Sequence, residues 1–342
     1  MSLFTSKKPI RVQVFGKTDL GRTRDHNEDR FLVADLSRRE ASLQPQVRQH
    51  DLGERGTLLV VADGMGGAAA GELASQMATD TIYQHLSRTW SAEEKLTPQR
   101  FAYRLKEAVE VANASIHAHA KAHPEVRGMG TTTTAAGVLA DHLYLTQVGD
   151  SRAYLIRRGQ AHQLTKDQSL MQRLVEAGEL TEEEAAHSER RNIILQALGP
   201  DAKVKVDLTH QEVRRGDILV LCSDGLSGQI KKEEIAQIVS EARDLGAACD
   251  RLIALANERG GPDNITVVIA RFEGDGLRSS GEHEDVGHQV YPLIDTETST
   301  EPVPVYTGSR PPVPAKEARG RLTLLAVLAV AAALLWYLTR NG

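Results

Sequence analysis

The stretch Leu58-Leu59-Val60-Val61-Ala62-Asp63-Gly64-Met65-Gly66-Gly67 limits what this chain can fold into more than any other segment. An apolar run rich in β-branched residues reads as a buried strand, and it delivers one carboxylate into backbone that the glycines leave free to bend. Asp63 is therefore expected at a strand end. A hard cation takes oxygen ligands, and glycines beside a carboxylate let main-chain carbonyls approach the same ion. Taken alone, Asp63-Gly64 fits a hairpin turn equally well. The arrangement recurs, however. Leu219-Val220-Leu221-Cys222-Ser223-Asp224-Gly225 is a second apolar run ending in Asp-Gly, and Gly260-Gly261-Pro262-Asp263-Asn264 sets a third Asp in a glycine turn just before the predicted strand 265–270. Three Asp residues at strand edges point to a shared, oxygen-rich metal site rather than to three unrelated turns.

The chain has 342 residues, enough for one large domain with extensions or two small ones. A hydrophobic content of 41% supports a real core, and a net charge of −5 argues against a general nucleic-acid binder. Cys222 and Cys249 provide neither a disulfide framework nor a cysteine-based zinc site, so a reduced, cytoplasmic domain is expected. Residues 1–14 carry Lys7 and Lys8 with no apolar core behind them, unlike a signal peptide. At the other end, 322–338 (LTLLAVLAVAAALLWYL) is uncharged. As a helix it spans about 26 Å, close to the hydrocarbon core of a bilayer. Lys316, Arg319 and Arg321 precede it, and Trp336 and Tyr337 fit an interfacial belt. It reads as a single C-terminal transmembrane anchor.

Between these ends the periodicity predicts an early strand over 11–17 and helices over 71–86 and 98–122. It also predicts strands over 128–139, 143–148, 151–156, 203–208, 218–222 and 265–272, and helices over 233–239 and 247–257. Strands at both ends with paired helices between them predict an α+β sandwich of two antiparallel sheets flanked by helices, over residues 11–273. The charged, helical stretch 164–200 looks like an inserted flap over an active site, with Thr181-Glu182-Glu183-Glu184 as a helix start. Residues 274–320 carry six prolines among Ser, Thr, Glu and His and few large apolar residues, which predicts a disordered linker to the anchor. His117, His119 and His123 suggest a metal cluster at first sight, but 117 and 119 point to different helix faces.

The ion-rich loop Gly21-Arg22-Thr23-Arg24-Asp25-His26-Asn27-Glu28-Asp29-Arg30 is either a solvated loop or part of a site. As a site, Arg24 offers a planar fork for a phosphate, and Glu28 with Asp29 offer acceptors that orient metal-bound waters. Asp150, in Gly149-Asp150-Ser151-Arg152, is a further candidate or a plain turn residue. Two divalent metals sharing a carboxylate lower the pKa of a bridging water toward neutrality and place a hydroxide for in-line attack, which suits phosphoester hydrolysis. The rival chemistries lack their parts. There is no Gly-x4-Gly-Lys-Ser/Thr loop, and neither cysteine is followed by Arg at the spacing a cysteine phosphatase needs.

Taken in order, Arg24-x-x-Asn27-Glu28-Asp29, Asp63-Gly64-Met65-Gly66-Gly67, Gly130-Thr131-Thr132, Gly149-Asp150-Ser151-Arg152, Ser223-Asp224-Gly225 and Gly261-x-Asp263-Asn264 resemble the metal-dependent Ser/Thr protein phosphatases of the type 2C class, over about 11–272. The resemblance implies that Asp63 bridges two Mn²⁺ or Mg²⁺ ions, that the Gly64 carbonyl binds one, and that Asp224 and Asp263 bind the other. It implies that Arg24 holds the substrate phosphate, that Glu28 and Asp29 act through waters, and that Asn264 supports the set from behind. Two departures stand out. Met65 occupies the place of a His proposed as general acid in eukaryotic members, which leaves the acid unassigned. Gly228 stands where many members have a second carboxylate for a third metal, so a third ion held by Asp150 should be weak or absent. The reading is a membrane-anchored Ser/Thr protein phosphatase facing the cytoplasm, acting on phosphorylated proteins and opposing a Ser/Thr protein kinase. The alternatives are a catalytically silent phosphoprotein-binding scaffold of the same fold and a phosphatase of small phosphometabolites.

Overall fold

Leu58, Leu59, Val60, Val61 and Ala62 are all wholly buried, which requires cover on both faces of the strand they form. In the computed structural model, which describes residues 8–42, 48–282 and 284–293, that cover is a four-layer arrangement of helix, sheet, sheet and helix. The chain runs β1 (Arg11–Asp19), β2 (Asp29–Asp35), β3 (Glu40–Ser42), β4 (Arg48–Asp51), β5 (Thr57–Met65), α1 (Ala68–Ala92) and α2 (Pro98–Ala122). Next come β6 (Gly130–Thr131), β7 (Thr133–Leu139), β8 (His142–Val148), β9 (Arg152–Arg157), β10 (Gln160–Gln163), α3 (Leu170–Glu176) and α4 (Glu182–His187). The remainder is β11 (Asp207–Glu212), β12 (Ile218–Cys222), α5 (Asp224–Ser227), α6 (Lys232–Glu241), α7 (Leu245–Glu258) and β13 (Ile265–Glu273).

One sheet has the order β10-β9-β12-β13-β1-β4, and the other β11-β8-β7-β5-β2-β3 with β6 paired to β5. Their strand pairings are antiparallel. The period of two then explains the apolar runs. On β5, Leu58, Val60 and Ala62 meet α1 and α2, while Leu59 and Val61 point between the sheets. On β12, Leu219 and Leu221 point between the sheets, and Ile218, Val220 and Cys222 meet α6 and α7. Cys222 and Cys249 are buried free thiols of that second helical layer. The expected α+β sandwich is therefore what the described residues form.

Helix α2 begins where capping dictates: the Thr97 side chain accepts from the Arg100 N–H, and Pro98 takes the first turn, where its missing donor costs nothing. Several elements differ from expectation. Helix α1 extends beyond 71–86, the strand expected over 203–208 lies at 207–212, and the short polar strands β3, β4 and β10 were not foreseen.

The domain also does not stop at 273. Residues 274–282 and 284–293 pack onto it as a strap, in place of the disordered linker expected from Gly274 onward. Leu277 is buried in the core between the sheets, and Tyr291 and Leu293 pack against the core under α1 and α2. The strap adds main-chain bonds along β11, from the His210 N–H to the Gln289 carbonyl at 2.9 Å and from the Tyr291 N–H to the Leu208 carbonyl at 2.9 Å. Glu284 accepts from buried Arg157 at 2.6 Å and from Arg214 at 2.7 Å. Composition misleads here because a segment with few apolar residues still docks when a formed surface offers pockets for those few. The linker beyond 293 and the expected membrane span at 322–338 lie outside the described residues. Among the described residues no helix is long and apolar enough to cross a membrane.

Candidate metal centre

Antiparallel pairing brings carboxylates from distant segments to one end of the sandwich. Asp29, the first residue of β2, lies directly opposite Asp63, near the end of β5. Asp63 is followed by two further strand residues rather than ending the strand, because β6 extends the ladder with Gly64 opposite Thr131. From the other sheet, Asp224 follows β12, Asp263 precedes β13, and Asp150 sits in the crossing from β8 to β9. Asp29, Asp224, Asp150 and Asp263 are the charges that act on Asp63.

The backbone around Asp63 is held from both sides. Its N–H donates to the Thr132 hydroxyl at 3.1 Å, and its carbonyl accepts from the Thr132 N–H at 2.8 Å and the Thr131 hydroxyl at 2.9 Å. Thr132 in turn shares a 2.8 Å bond with the Ser151 hydroxyl, so the neighbourhoods of Asp63 and Asp150 are joined by two hydroxyl groups. Gly64 is required for space. A Cβ there would lie 2.2 Å from the Gly71 carbonyl oxygen and 2.6 Å from that of Glu28.

Asn264 staples the ion-rich loop to the site. It is buried, its side chain donates to the Leu20 carbonyl at 3.0 Å and the His26 carbonyl at 2.9 Å, and it accepts from the Glu28 N–H at 2.9 Å. The loop is thus built rather than merely solvated. Arg24, on that loop, is half-exposed and donates through Nη2 to Asp263 at 2.7 Å. Glu28 presses its carboxylate against α1, where a Cβ on Gly71 would sit 1.8 Å from Glu28 Oε2.

The electrostatics are those of carboxylates crowded without enough counter-charge. Burial raises the pKa of Asp29 most; hydrogen bonds from Ser223 and Thr266 oppose this, Asp224 and Asp263 add to it, and the result is about 7. Asp63 is raised well above the usual range by burial and then by Asp29, Asp224, Asp150 and Asp263. Burial, with Asp224 and Asp167, lifts Asp150 to about 8 against the pull of Arg152. Asp224 is raised by burial and by Asp263.

Among the described residues no three His, Cys, Asp or Glu side chains close into a ready-made ligand cage. Asp263 is turned to Arg24. The donor set nevertheless fits divalent cations. Asp29 Oδ1 and Asp224 Oδ1 are buried with no hydrogen-bond partner, and hard oxygen donors that raise one another's pKa are satisfied by a cation between them. Unpaired buried carboxylate oxygens are otherwise costly to keep.

Other expected residues fall outside this cluster. His117 is bonded to the Gly199 carbonyl, and His119 stacks on His123 with ring centroids 4.0 Å apart. The Met65 side chain packs toward Gly130, where a Cβ would meet its methyl at 2.7 Å, so it offers no proton donor. Gly228 has φ −76° and ψ −16°, dihedrals any residue adopts, but a Cβ there would lie 2.8 Å from the Asp224 carbonyl oxygen. Thr132 and Ser151 lie within the Gly130-Thr131-Thr132 and Gly149-Asp150-Ser151-Arg152 motifs without a role assigned to them, and Gln168 was not singled out; their contacts are long in sequence. A cavity of about 640 Å³ is lined by Gln168, Arg173, Leu195, Leu208 and Tyr291 among others, and the clustered carboxylates do not border it.

The chain is similar to several known phosphatases. A family profile described as "Protein phosphatase 2C" matches residues 38–259. "Serine/threonine phosphatase stp" of Listeria innocua is 37% identical over 254 residues, 74% of this chain and 93% of that protein. "Serine/threonine protein phosphatase PstP" of Mycobacterium tuberculosis is 41% identical over 213 residues, 62% of this chain and 40% of that protein. The catalytic domain of a serine/threonine protein phosphatase PstP, solved in complex with two manganese ions, superposes with a TM-score of 0.62 at 36% identity, covering 77% of this chain and 99% of that one.

Proposed function

The chain belongs to the protein phosphatase 2C family and is a Ser/Thr protein phosphatase that uses Mn²⁺ or Mg²⁺, and from that premise we propose that its reaction runs at the carboxylate cluster, with Asp63, Gly64, Asp224 and Asp263 as the metal-holding residues. The observation that carries the assignment is the pair of buried, partnerless oxygens Asp29 Oδ1 and Asp224 Oδ1, brought from two different sheets into one cluster of acids that raise one another's pKa. When bound there, divalent cations supply an acidified water at neutral pH and neutralise charge on the phosphoryl oxygens.

The chain's own residues do the rest. Asp29 and Glu28 hold acceptor oxygens at the rim of the cluster, fixed by Ser223 and by the Asn264 staple. Arg24, half-exposed and bonded to Asp263 through one nitrogen only, can turn its fork to a substrate phosphate once Asp263 faces a cation. The Thr132 and Ser151 hydroxyls keep Asp63 from shifting. The substrates are phosphoserine and phosphothreonine in proteins, and we place the enzyme opposite a Ser/Thr protein kinase. The test is turnover of a phosphothreonine peptide by the full chain with and without Mn²⁺. The reading predicts hydrolysis that requires the metal and is lost in Asp63→Asn, and metal-independent hydrolysis contradicts it.

We also propose that residues 322–338 anchor the protein in a membrane, supported by their uncharged run and the basic residues 316, 319 and 321 before it, which favour a cytoplasmic catalytic domain. Deleting 322–342 should move the protein to the soluble fraction with its activity on soluble peptides unchanged. A truncated form that still sediments with salt-washed membranes contradicts the anchor.

A further inference from the structure

The strap supplies one wall of the cavity of about 640 Å³, a wall that lies beyond residues 38–259, the part matched by the family profile. Tyr291 and Leu293 pack on the core there, with buried Leu208 among them. Val290 and Leu195, two of the five large hydrophobic side chains exposed among the described residues, also line it and stand 69% and 44% exposed. The backbone of this wall is open too. The Gln289 carbonyl and the Tyr291 N–H both bond to β11, at 2.9 Å each, and because main-chain groups alternate sides along a strand, those of Val290 face away from the sheet. An extended chain can pair with that edge, over a short stretch only, since Pro292 has no N–H to offer.

The charges in the lining leave two cations over. Asp167 is held by the fork of Arg152, which is not part of the lining, at 2.7 Å, and Glu176 is taken by Lys166 at 3.0 Å. Arg173 makes no ion pair among the described residues, and the 81%-exposed Lys205 stands 3.8 Å from Asp207, beyond hydrogen-bonding distance. Gln168 belongs to the lining and bonds to Gly149, the neighbour of Asp150, at 3.0 Å, so one peptide can reach both the groove and the acids. We propose that this groove docks the phosphoprotein substrate, which lays an extended, acidic segment with an aliphatic side chain along Val290 and Leu195, its carboxylates meeting Arg173 and Lys205. A small anionic metabolite would satisfy the cations but leave Val290 and the strap edge bare. The inference rests on the protein phosphatase reading and adds a second contact, away from the reacting phosphate.

The test uses the full chain in Mn²⁺ and one phosphothreonine peptide, alone or joined to a tail of Glu, Leu, Glu and Glu. The tail is set at the amino or the carboxyl end, in separate peptides, through a Gly/Ser spacer of about ten residues, which reaches about 17 Å on average. An exposed ion pair changes affinity by about 1.5- to 5-fold, so two of them with an apolar contact should lower KM by about 10-fold in at least one orientation, with kcat unchanged. A lysine tail should give no gain. The double variant Arg173→Glu/Lys205→Glu should lose the gain from the acidic tail and acquire one from the lysine tail, and Val290→Asp should lose most of it. Both variants should hydrolyse p-nitrophenyl phosphate and the untailed peptide like the wild type. A wild type that hydrolyses tailed and untailed peptides with equal KM, or a gain that survives in both variants, overturns the inference alone. A chain that hydrolyses p-nitrophenyl phosphate but not the untailed peptide overturns the protein phosphatase reading, and this inference with it.

Discussion

Asp29 and Asp63 face each other in register across adjacent antiparallel strands, with the Asp29 carboxylate bonded to the Ser223 hydroxyl at 2.7 Å. Like charges directly opposite in a sheet destabilise it. The fold therefore carries at its functional end a repulsion that a divalent cation relieves.

That repulsion gives the metal-free protein a pH dependence of known sign. Asp29 at about 7 and Asp150 at about 8 hold protons in the folded state that they release when unfolded. A carboxyl whose folded pKa is raised makes the fold less stable above that pKa, and the penalty vanishes as pH falls toward the unfolded value. In chelator, the melting temperature should rise as pH is lowered from about 9 to about 6, the window set by these shifts. Saturating Mn²⁺ should flatten the curve. A chelated protein that melts higher at pH 9 than at pH 6 contradicts the crowding described.

Gly64→Ala should abolish turnover and cost about 1–3 kcal/mol, because its Cβ meets two carbonyl oxygens, of Gly71 and Glu28, rather than a yielding side chain. Steady-state kinetics and urea denaturation measure the two effects. Retained activity with unchanged stability places the β5 to α1 turn elsewhere.

Asn264→Ala removes three hydrogen bonds between β13 and the loop that carries Arg24. It should cost about 2–4 kcal/mol, from buried groups left unpaired. KM for a phosphopeptide should rise several-fold as Arg24 loses its fixed position. An unchanged KM in a folded variant detaches Arg24 from substrate binding.

A chain ended at 273 should be less stable than one ended at 293 by about 3–5 kcal/mol. It leaves Arg157, which is buried, and Arg214 without Glu284, and it empties the site of Leu277. Chemical denaturation of the two forms decides this, and equal midpoints would show the strap to be dispensable.

How far the sequence could be read follows from the range of the forces involved. Asp63 and Asp224 announce themselves because an apolar strand and its glycines are neighbours in sequence, and α2 begins at Pro98 because its cap, Thr97, is adjacent. The strands β3, β4 and β10 are short and polar, and they exist because a neighbour offers an edge to pair with, which no local pattern records. The alternation Val204, Val206, Leu208 predicts a strand earlier than β11, whose place is set by its register on β8. The strap was hidden by composition, since Leu277, Glu284 and Tyr291 dock on surfaces built by residues far away in the chain. Within the site, the acids and Asn264 were legible, and the long-range pairings of Thr132, Ser151 and Gln168 were not. Thr132 to Ser151 and Gly149 to Gln168 each span 19 positions and leave no periodic trace.

The most direct test of the account is the Mn²⁺ stoichiometry of the full chain, measured by calorimetry beside that of Asp63→Asn. Two ions bound tightly by the wild type, with tight binding lost in a variant that still melts cooperatively, is the result expected if Asp63 is the carboxylate shared between the two sheets' ligands. Two ions bound with equal affinity by both proteins would contradict it.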